Sequence, residues 1–321
     1  MSRALQVFSG SANRPLAEAI CRCLGVRLGK AIVGRYRNGE TRVRVDESVR
    51  GDDVYVIQPT SHPVNEHLME LLIMLDALRR SSAARVTAVI PYYGYAKQEK
   101  KTAPREPITA KLVANLLVEA GADRILTCDL HAPAIEGFFD IPVDHLQARY
   151  LLAAHLRDLH LPNPVIVAPD AGRVGWAMEF RDIVGGNLAF IAKHHPGVDR
   201  TAMIDMVGDV AGGTAILIDD MILTGGTLME AARVLFERGA RAVYACATHA
   251  AFADGVRAQM EASPFSRLLL TDTIPLLGDP PAHGASKIEI LSVAPMLAEA
   301  IDRIHNDRSV SSLFRQDDDA S

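Results

Sequence analysis

Residues Ala215–Thr227 read AILIDDMILTGGT, and this stretch decides the fold. Its apolar opening has the character of a strand buried in a parallel sheet. Asp219 and Asp220 end the run, and Thr224-Gly225-Gly226-Thr227 makes a tight turn. A helical pattern over Leu228–Arg238 follows, closed by Gly239. Gly225 and Gly226 let the backbone turn sharply and present its N–H groups. Those groups, the Thr224 and Thr227 hydroxyls and the helix N-terminus form an anion seat suited to phosphate. Two carboxylates do not hold a phosphate, but they accept hydrogen bonds from vicinal hydroxyls. Diol acceptors beside a phosphate seat describe a sugar phosphate, most simply ribose 5-phosphate. The plainer reading, a strand-turn-helix with Thr227 as an ordinary N-cap, leaves the paired aspartates without a reason. The turn is not a nucleotide P-loop, because no lysine follows Gly226, and it is not a GxGxxG dinucleotide fingerprint.

Working outward, the chain reads as a diverged duplication. Residues 119–132 are EAGADRILTCDLHA and residues 237–250 are ERGARAVYACATHA. Glu119/Glu237, Gly121/Gly239, Ala122/Ala240, Cys128/Cys246, His131/His249 and Ala132/Ala250 match at one constant offset. Helical patterns over Ile108–Ala120 and Thr227–Arg238 precede them. In the first half, strand Val54–Gln58, helix Asn65–Arg80, strand Val86–Pro91, a long loop, the Ile108–Ala120 helix and strand Arg124–Cys128 follow in order. In the second, strand Val165–Ala168, helix Val174–Ile183, strand Leu188–Ile191, an irregular stretch, strand Ala215–Ile218, a helix and strand Ala242–Ala247 do so. Strands alternating with helices predict an α/β fold with a mainly parallel sheet in each half. Sites of such sheets lie at the carboxyl ends of the strands, where Asp129, Asp170, Asp219 and Asp220 fall. The expected division is 1–147, 148–314 and a disordered acidic tail, 315–321.

The whole chain bounds the function. Its 321 residues suffice for two cores. With 34 basic against 39 acidic residues, the net charge of -5 argues against a nucleic-acid partner. The N-terminus lacks the apolar core of a signal peptide, and no apolar run is long enough to span a bilayer. Cys21, Cys23, Cys128 and Cys246 form no CxxC pair, which fits core packing in a reducing, cytoplasmic compartment.

Four further motifs carry chemistry. Pro91–Lys101, PYYGYAKQEKK, follows a buried strand and gathers Lys97, Lys100 and Lys101 near Arg105, a cationic strand-end loop suited to polyphosphate. Asp129–Asp144 reads DLHAPAIEGFFDIPVD, Ala168–Gly172 reads APDAG, and Arg35–Glu40 reads RYRNGE with a hairpin-forming Asn-Gly. Taken alone, these are a solvated loop, a core His–Asp pair, a helix-initiating Asp and a turn.

Together, in order from about Leu5 to Phe314, the motifs resemble the ribose-phosphate diphosphokinase (PRPP synthetase) family. VNEHLMELLIMLDALRR (Val64–Arg80), PREPITAKL (Pro104–Leu112) and LAEAIDRIHNDRSVSSLF (Leu297–Phe314) add to the match. The resemblance implies two phosphoribosyltransferase-like domains. It also implies transfer of the diphosphoryl group of Mg-ATP to ribose 5-phosphate, giving AMP and 5-phosphoribosyl 1-diphosphate. Tyr36, Asn38 and Glu40 then bind adenine from a hairpin that reaches a neighbouring subunit. Lys97 and Gln98 approach the ATP phosphates. His131 and Asp170 serve Mg²⁺, an oxygen-seeking ion that suits phosphates. Lys193, in Lys193-His194-His195-Pro196, is the catalytic lysine of a mobile flap. Asp219, Asp220, Thr224, Gly225, Gly226 and Thr227 hold ribose 5-phosphate. A homo-oligomer built from dimers is implied, a hexamer being one such form.

Three positions depart from that family. Leu223 stands where many relatives have Asp, His195 replaces an Arg, and Lys97 replaces an Arg, keeping charge but losing the planar fork. The first two departures motivate an alternative, a catalytically weak regulatory paralogue. A phosphoribosyltransferase that consumes the product is a third reading, and the adenine hairpin speaks against it.

Overall fold

A computed structural model describes residues 3–194, 203–276 and 285–313. The chain forms two compact units. The first contains β1 (Leu5–Ser9), α1 (Arg14–Leu24), β2 (Ala31–Arg35), β3 (Thr41–Val45), β4 (Asp53–Ile57), α2 (Val64–Arg80), β5 (Arg85–Ile90), α3 (Thr109–Ala120), β6 (Arg124–Cys128) and β7 (Val143–Leu146). The second contains α4 (Arg149–Asp158), β8 (Pro164–Ala168), α5 (Val174–Val184), β9 (Asn187–His194), β10 (Met203–Val207), β11 (Thr214–Met221), α6 (Gly226–Glu237), β12 (Ala242–His249), α7 (Val256–Glu261), β13 (Arg267–Thr271) and β14 (Ile288–Leu291). The chain then returns to the first unit with α8 (Ala294–His305).

The first sheet has the order β1-β4-β5-β6-β7, and every pair is parallel. Its central strands are mostly apolar and buried because both faces are covered; β4 is buried along its length, Asp53 at its start included. One covering helix is α2, where Leu71, Met74, Leu75 and Leu78 recur at helical spacing and are fully buried. The β2–β3 hairpin is a separate antiparallel pair whose Val33, Val43 and Val45 pack on the same core.

The second sheet has the order β10-β9-β8-β11-β12-β13-β14 and is parallel except for the β9–β10 pair. One core, with Leu217, Ala231, Leu235 and Phe265, lies under α6; another, with Leu152, Phe180, Ile216 and Ile218, lies under α4 and α5. The alternation of Ile216, Leu217 and Ile218 between the two cores is the period-two signature of a strand covered on both faces. In each unit a helix links adjacent parallel strands, α3 between β5 and β6, α6 between β11 and β12. Gly121 and Gly239, the matched glycines after these helices, both have left-handed φ, 114° and 87°. The internal similarity thus corresponds to one repeated strand-helix-strand unit.

Two expectations change. The described residues that flank the stretch expected to be irregular are strands: β9 runs on to His194, with Lys193 opposite Ile204 and His194 opposite Met203 of β10. Pairing with an antiparallel edge strand imposes order that the polar Lys-His sequence does not advertise. Residues 292–313, expected in the second domain, belong to the first unit. The physical reason is specific. Helix α8 packs on α1, His305 Nδ1 lies 2.8 Å from Asp53 Oδ2, and Arg85 Nη2 donates to the Ile304 carbonyl at 3.0 Å. His195 and the 315–321 tail lie outside the described residues.

Candidate active site

At the carboxyl end of β11 the apolar run gives way to Asp219 and Asp220, as the sequence places them. Asp220 is buried and Asp219 is partly open. Each carboxylate accepts a backbone N–H from the next residue, Asp220 N to Asp219 Oδ1 and Met221 N to Asp220 Oδ1, both at 2.9 Å. Arg173 joins the pair: its Nε donates to Asp219 Oδ1 at 3.1 Å and its Nη2 lies 2.6 Å from Asp220 Oδ1. Burial and the neighbouring Asp220 push the Asp219 carboxyl up from its ordinary range, and Arg173 opposes them.

The turn that follows leads into α6. Gly225, with φ 71°, is its N-cap, and no side-chain cap hydrogen bond closes this helix start. Thr227 is therefore inside the first helical turn, not its cap; the first N–H groups of a helix have no partner within it, and that end of the helix dipole favours an anion. A side chain at Gly225 would be strained and would collide with Met260. At Gly226, by contrast, an added Cβ would have nothing nearer than Thr224 Oγ1 at 3.9 Å, so the space above it is open to a ligand. Thr224, Gly226 and Thr227 are exposed and Leu223 is half-buried. The Leu223 carbonyl accepts from Ala253 N at 3.0 Å, which anchors the base of the turn.

Asp170 follows β8, is exposed, and precedes the short helical turn Ala171–Arg173 that delivers Arg173 to the aspartates. Lys193 lies in β9 beyond Phe190, the last position paired with β8. Asp170, Lys193, the aspartate pair and the Thr-Gly-Gly-Thr turn thus share the carboxyl edge of one sheet.

The first unit repeats the plan. After β5 the chain enters the cationic loop, where Lys97 and Gln98 occupy a helical turn, Ala96–Gln98, and are exposed. Gln98 Oε1 accepts from Thr109 Oγ1 at 2.5 Å at the start of α3. Glu106 accepts from Thr102 N, Thr102 Oγ1 and Ala103 N, which folds the loop back on itself. After β6, Asp129 is buried with φ 31°, and His131 is half-exposed two residues on. The Leu130 N–H donates to His145 Nε2 at 2.8 Å, and His145 Nδ1 lies 2.6 Å from Glu136 Oε1. With Nε2 accepting, Nδ1 carries the proton toward Glu136. The hairpin tip carries Tyr36, which is 54% exposed, with the Arg42 guanidinium 5.8 Å from its ring centroid. Asn38 Oδ1 accepts from Glu40 N at 3.2 Å and shapes the turn.

Two family models match the chain. The N-terminal domain of ribose phosphate pyrophosphokinase matches residues 5–121, and the phosphoribosyl synthetase-associated domain matches residues 163–315. A ribose-phosphate pyrophosphokinase of a Nostoc species is 49% identical over 97% of this chain and 94% of its own. The chain belongs to the ribose-phosphate pyrophosphokinase family. The family protein of Listeria ivanovii is 49% identical, over 97% of each chain. The crystal structure of phosphoribosylpyrophosphate synthetase from Mycobacterium smegmatis superposes with a TM-score of 0.89 at 42% identity, over 95% of this chain and all of that one.

Within this family frame, the residues expected to act fall on the strand ends of two sheets, except Tyr36, Asn38 and Glu40, which lie in the β2–β3 hairpin turn. His131 belongs to the first unit and Asp170 to the second, each described in its own unit. Among the described residues, no group of three or more His, Cys, Asp or Glu side chains could by itself hold a metal ion. Sequence reading missed Arg173. A signal was present, a cation three residues after Asp170 in PDAGR, but its carboxylate partners are remote in sequence. Likewise it missed His145, whose bond to the Leu130 backbone supports the loop that carries His131.

Proposed function

We propose that this chain is a ribose-phosphate diphosphokinase that converts ATP and ribose 5-phosphate to AMP and 5-phosphoribosyl 1-diphosphate. The observation that carries the reading is the aspartate pair placed directly before the open Thr-Gly-Gly-Thr helix start. An anion seat and a diol acceptor are held there on one strand-turn-helix. Asp219 and Asp220 accept the ribose hydroxyls, while Thr224, Thr227 and the N–H groups at Gly225 and Gly226 take the 5-phosphate.

The anomeric hydroxyl oxygen attacks the β-phosphorus, the bond from that phosphorus to the α,β-bridging oxygen breaks, and AMP departs with the bridging oxygen. The hydroxyl proton is lost to solvent. Such transfer rests on alignment and charge neutralisation. Lys193 offsets the negative charge on the diphosphoryl group in flight, and Lys97 with Gln98 gathers the triphosphate. Tyr36 stacks on adenine, with Asn38 and Glu40 at the base edge. In this reading the hairpin serves a neighbouring subunit of a dimer-based homo-oligomer. A site for Mg²⁺ fits this chain as a few protein groups around an ion brought in on phosphate, which is the ordinary mode for that ion. His131 and Asp170 are the residues that would serve the ion, which when bound would supply neutralising charge to the phosphates. Nothing in the design needs nucleic acid. Among the described residues no helix is long and apolar enough to cross a membrane, which accords with a cytoplasmic setting.

The test is Lys193→Ala. Turnover falls by about 10²–10³ while circular dichroism stays unchanged; near-parental turnover would refute the role of Lys193.

A further inference from the structure

The aspartate pair is held by more than its own strand. Arg173 is 9% exposed and reaches both carboxylates. Its guanidinium also lies over the ring of Trp176, 5.0 Å from the centroid. A second guanidinium, that of Arg149, lies over the same ring at 4.7 Å. Arg149 is in turn tied to Glu179, Nε to Oε2 at 2.8 Å, and lies 5.1 Å from the Tyr150 ring. A continuous stack therefore runs from α4 and α5 to the end of β11.

Its physical use follows from the charges. Two adjacent carboxylates at a partly dry strand end repel, and left alone one of them takes up a proton. A protonated carboxyl is a poorer acceptor and rotates freely between donor and acceptor roles. A guanidinium presents its N–H groups in a fixed plane, so one Arg can pin two carboxylates in a defined orientation and leave their remaining lone pairs aimed elsewhere. Stacking on an aromatic face fixes that plane. The second arginine on the ring is offset by Glu179, so the stack does not expel Arg173.

We propose that Arg173, held over Trp176, is a positioning and specificity-determining residue that keeps Asp219 and Asp220 as paired acceptors for two vicinal hydroxyls. The inference rests on the ribose-binding reading of the aspartates. It makes the enzyme selective for pentose phosphates that carry both hydroxyls, because unpaired oriented acceptors penalise a substrate lacking one.

The experiment compares ribose 5-phosphate with 2-deoxyribose 5-phosphate in the parent, Arg173→Met, Arg173→Lys and Asp219→Asn. In Arg173→Met the KM for ribose 5-phosphate rises about 10–100-fold, the KM for ATP changes less than about twofold, and the preference for ribose over deoxyribose shrinks by at least about tenfold. Arg173→Lys recovers part of the preference, because charge returns without the planar fork. Trp176 is the only tryptophan of the chain, so its emission gives an equilibrium readout. Ribose 5-phosphate shifts that emission in the parent, and the shift saturates at higher ligand concentration in the Arg173 variants.

Parental preference and affinity in a folded Arg173→Met would overturn the proposal. Should that variant not fold, Arg173→Lys decides, and full parental preference there would overturn it equally. Asp219→Asn separates the two layers of the argument. If it weakens ribose 5-phosphate binding while the Arg173 variants do not, the positioning role alone fails. If it too leaves binding unchanged, the ribose-binding reading fails.

Discussion

Gly226 and Leu223 show at the scale of single residues how little separates a working seat from a blocked one. An added Cβ at Gly226 meets nothing closer than 3.9 Å, so Gly226→Val is sterically compatible with the free fold and projects two methyl groups into the phosphate seat. We expect its KM for ribose 5-phosphate to rise at least about tenfold, roughly the loss of one charged hydrogen bond, with thermal stability close to the parent in a calorimetric scan. Leu223 borders the same turn and offers no side-chain acceptor. Leu223→Asp adds one, and steady-state kinetics should record a KM for ribose 5-phosphate several-fold lower, the size of one modest hydrogen bond; unchanged kinetics would show that the position has no part in binding. Asp219, Asp220 and the Thr-Gly-Gly-Thr turn were legible because they are contiguous: the strand end, the glycine turn and the helix occur in one short run. Arg173 was not, because its meaning depends on carboxylates brought to it only by the pairing of β8 with β11. The role proposed for Lys193 comes from family resemblance alone. The sequence around it is polar and gives no apolar alternation to announce a strand.

The elements of each core were readable from period alone. Helices α2, α3 and α6 and strands β5, β6 and β11 carry the apolar spacing that parallel α/β packing requires. What periodicity does not carry is the destination of an element. Helix α8 follows β14 in the chain yet closes the first unit, because Asp53, Arg85 and His305 meet there. Asp53 is fully buried, and burial alone would raise its carboxyl. The hydrogen bonds from Arg85, His305 and Tyr55 outweigh burial and hold it below the usual carboxylate range. A depressed folded-state pKa contributes stability that is present above the unfolded value, about 3.9, and is lost as pH falls through the folded value. Asp53→Asn should therefore destabilise the first unit by about 3–5 kcal/mol at neutral pH, since it strands a half-buried Arg85. It should also flatten the acid loss of stability below about pH 4. Urea unfolding followed across pH checks both, and an Asp53→Asn protein with the parental acid profile would contradict the assignment.

Across the whole molecule, a chain of net charge -5 must handle two anionic substrates, so attraction has to be local. The cationic residues Lys97, Lys100, Lys101 and Arg105 are gathered in one loop after β5, and the helix start after β11, which carries no lysine, is the second anion seat of the proposed reading. The duplicated strand-helix-strand unit would account for this economy: in the proposed reading one copy serves a polyphosphate and the other a phosphorylated sugar, each at the same place on its sheet. The account stands on the two being used in one reaction. Its most direct test is AMP release from Mg-ATP by the purified full chain, measured with and without ribose 5-phosphate. AMP formed in step with 5-phosphoribosyl 1-diphosphate, and only when ribose 5-phosphate is present, is the predicted result. No AMP in its presence, or AMP released at the same rate without it, would contradict the account.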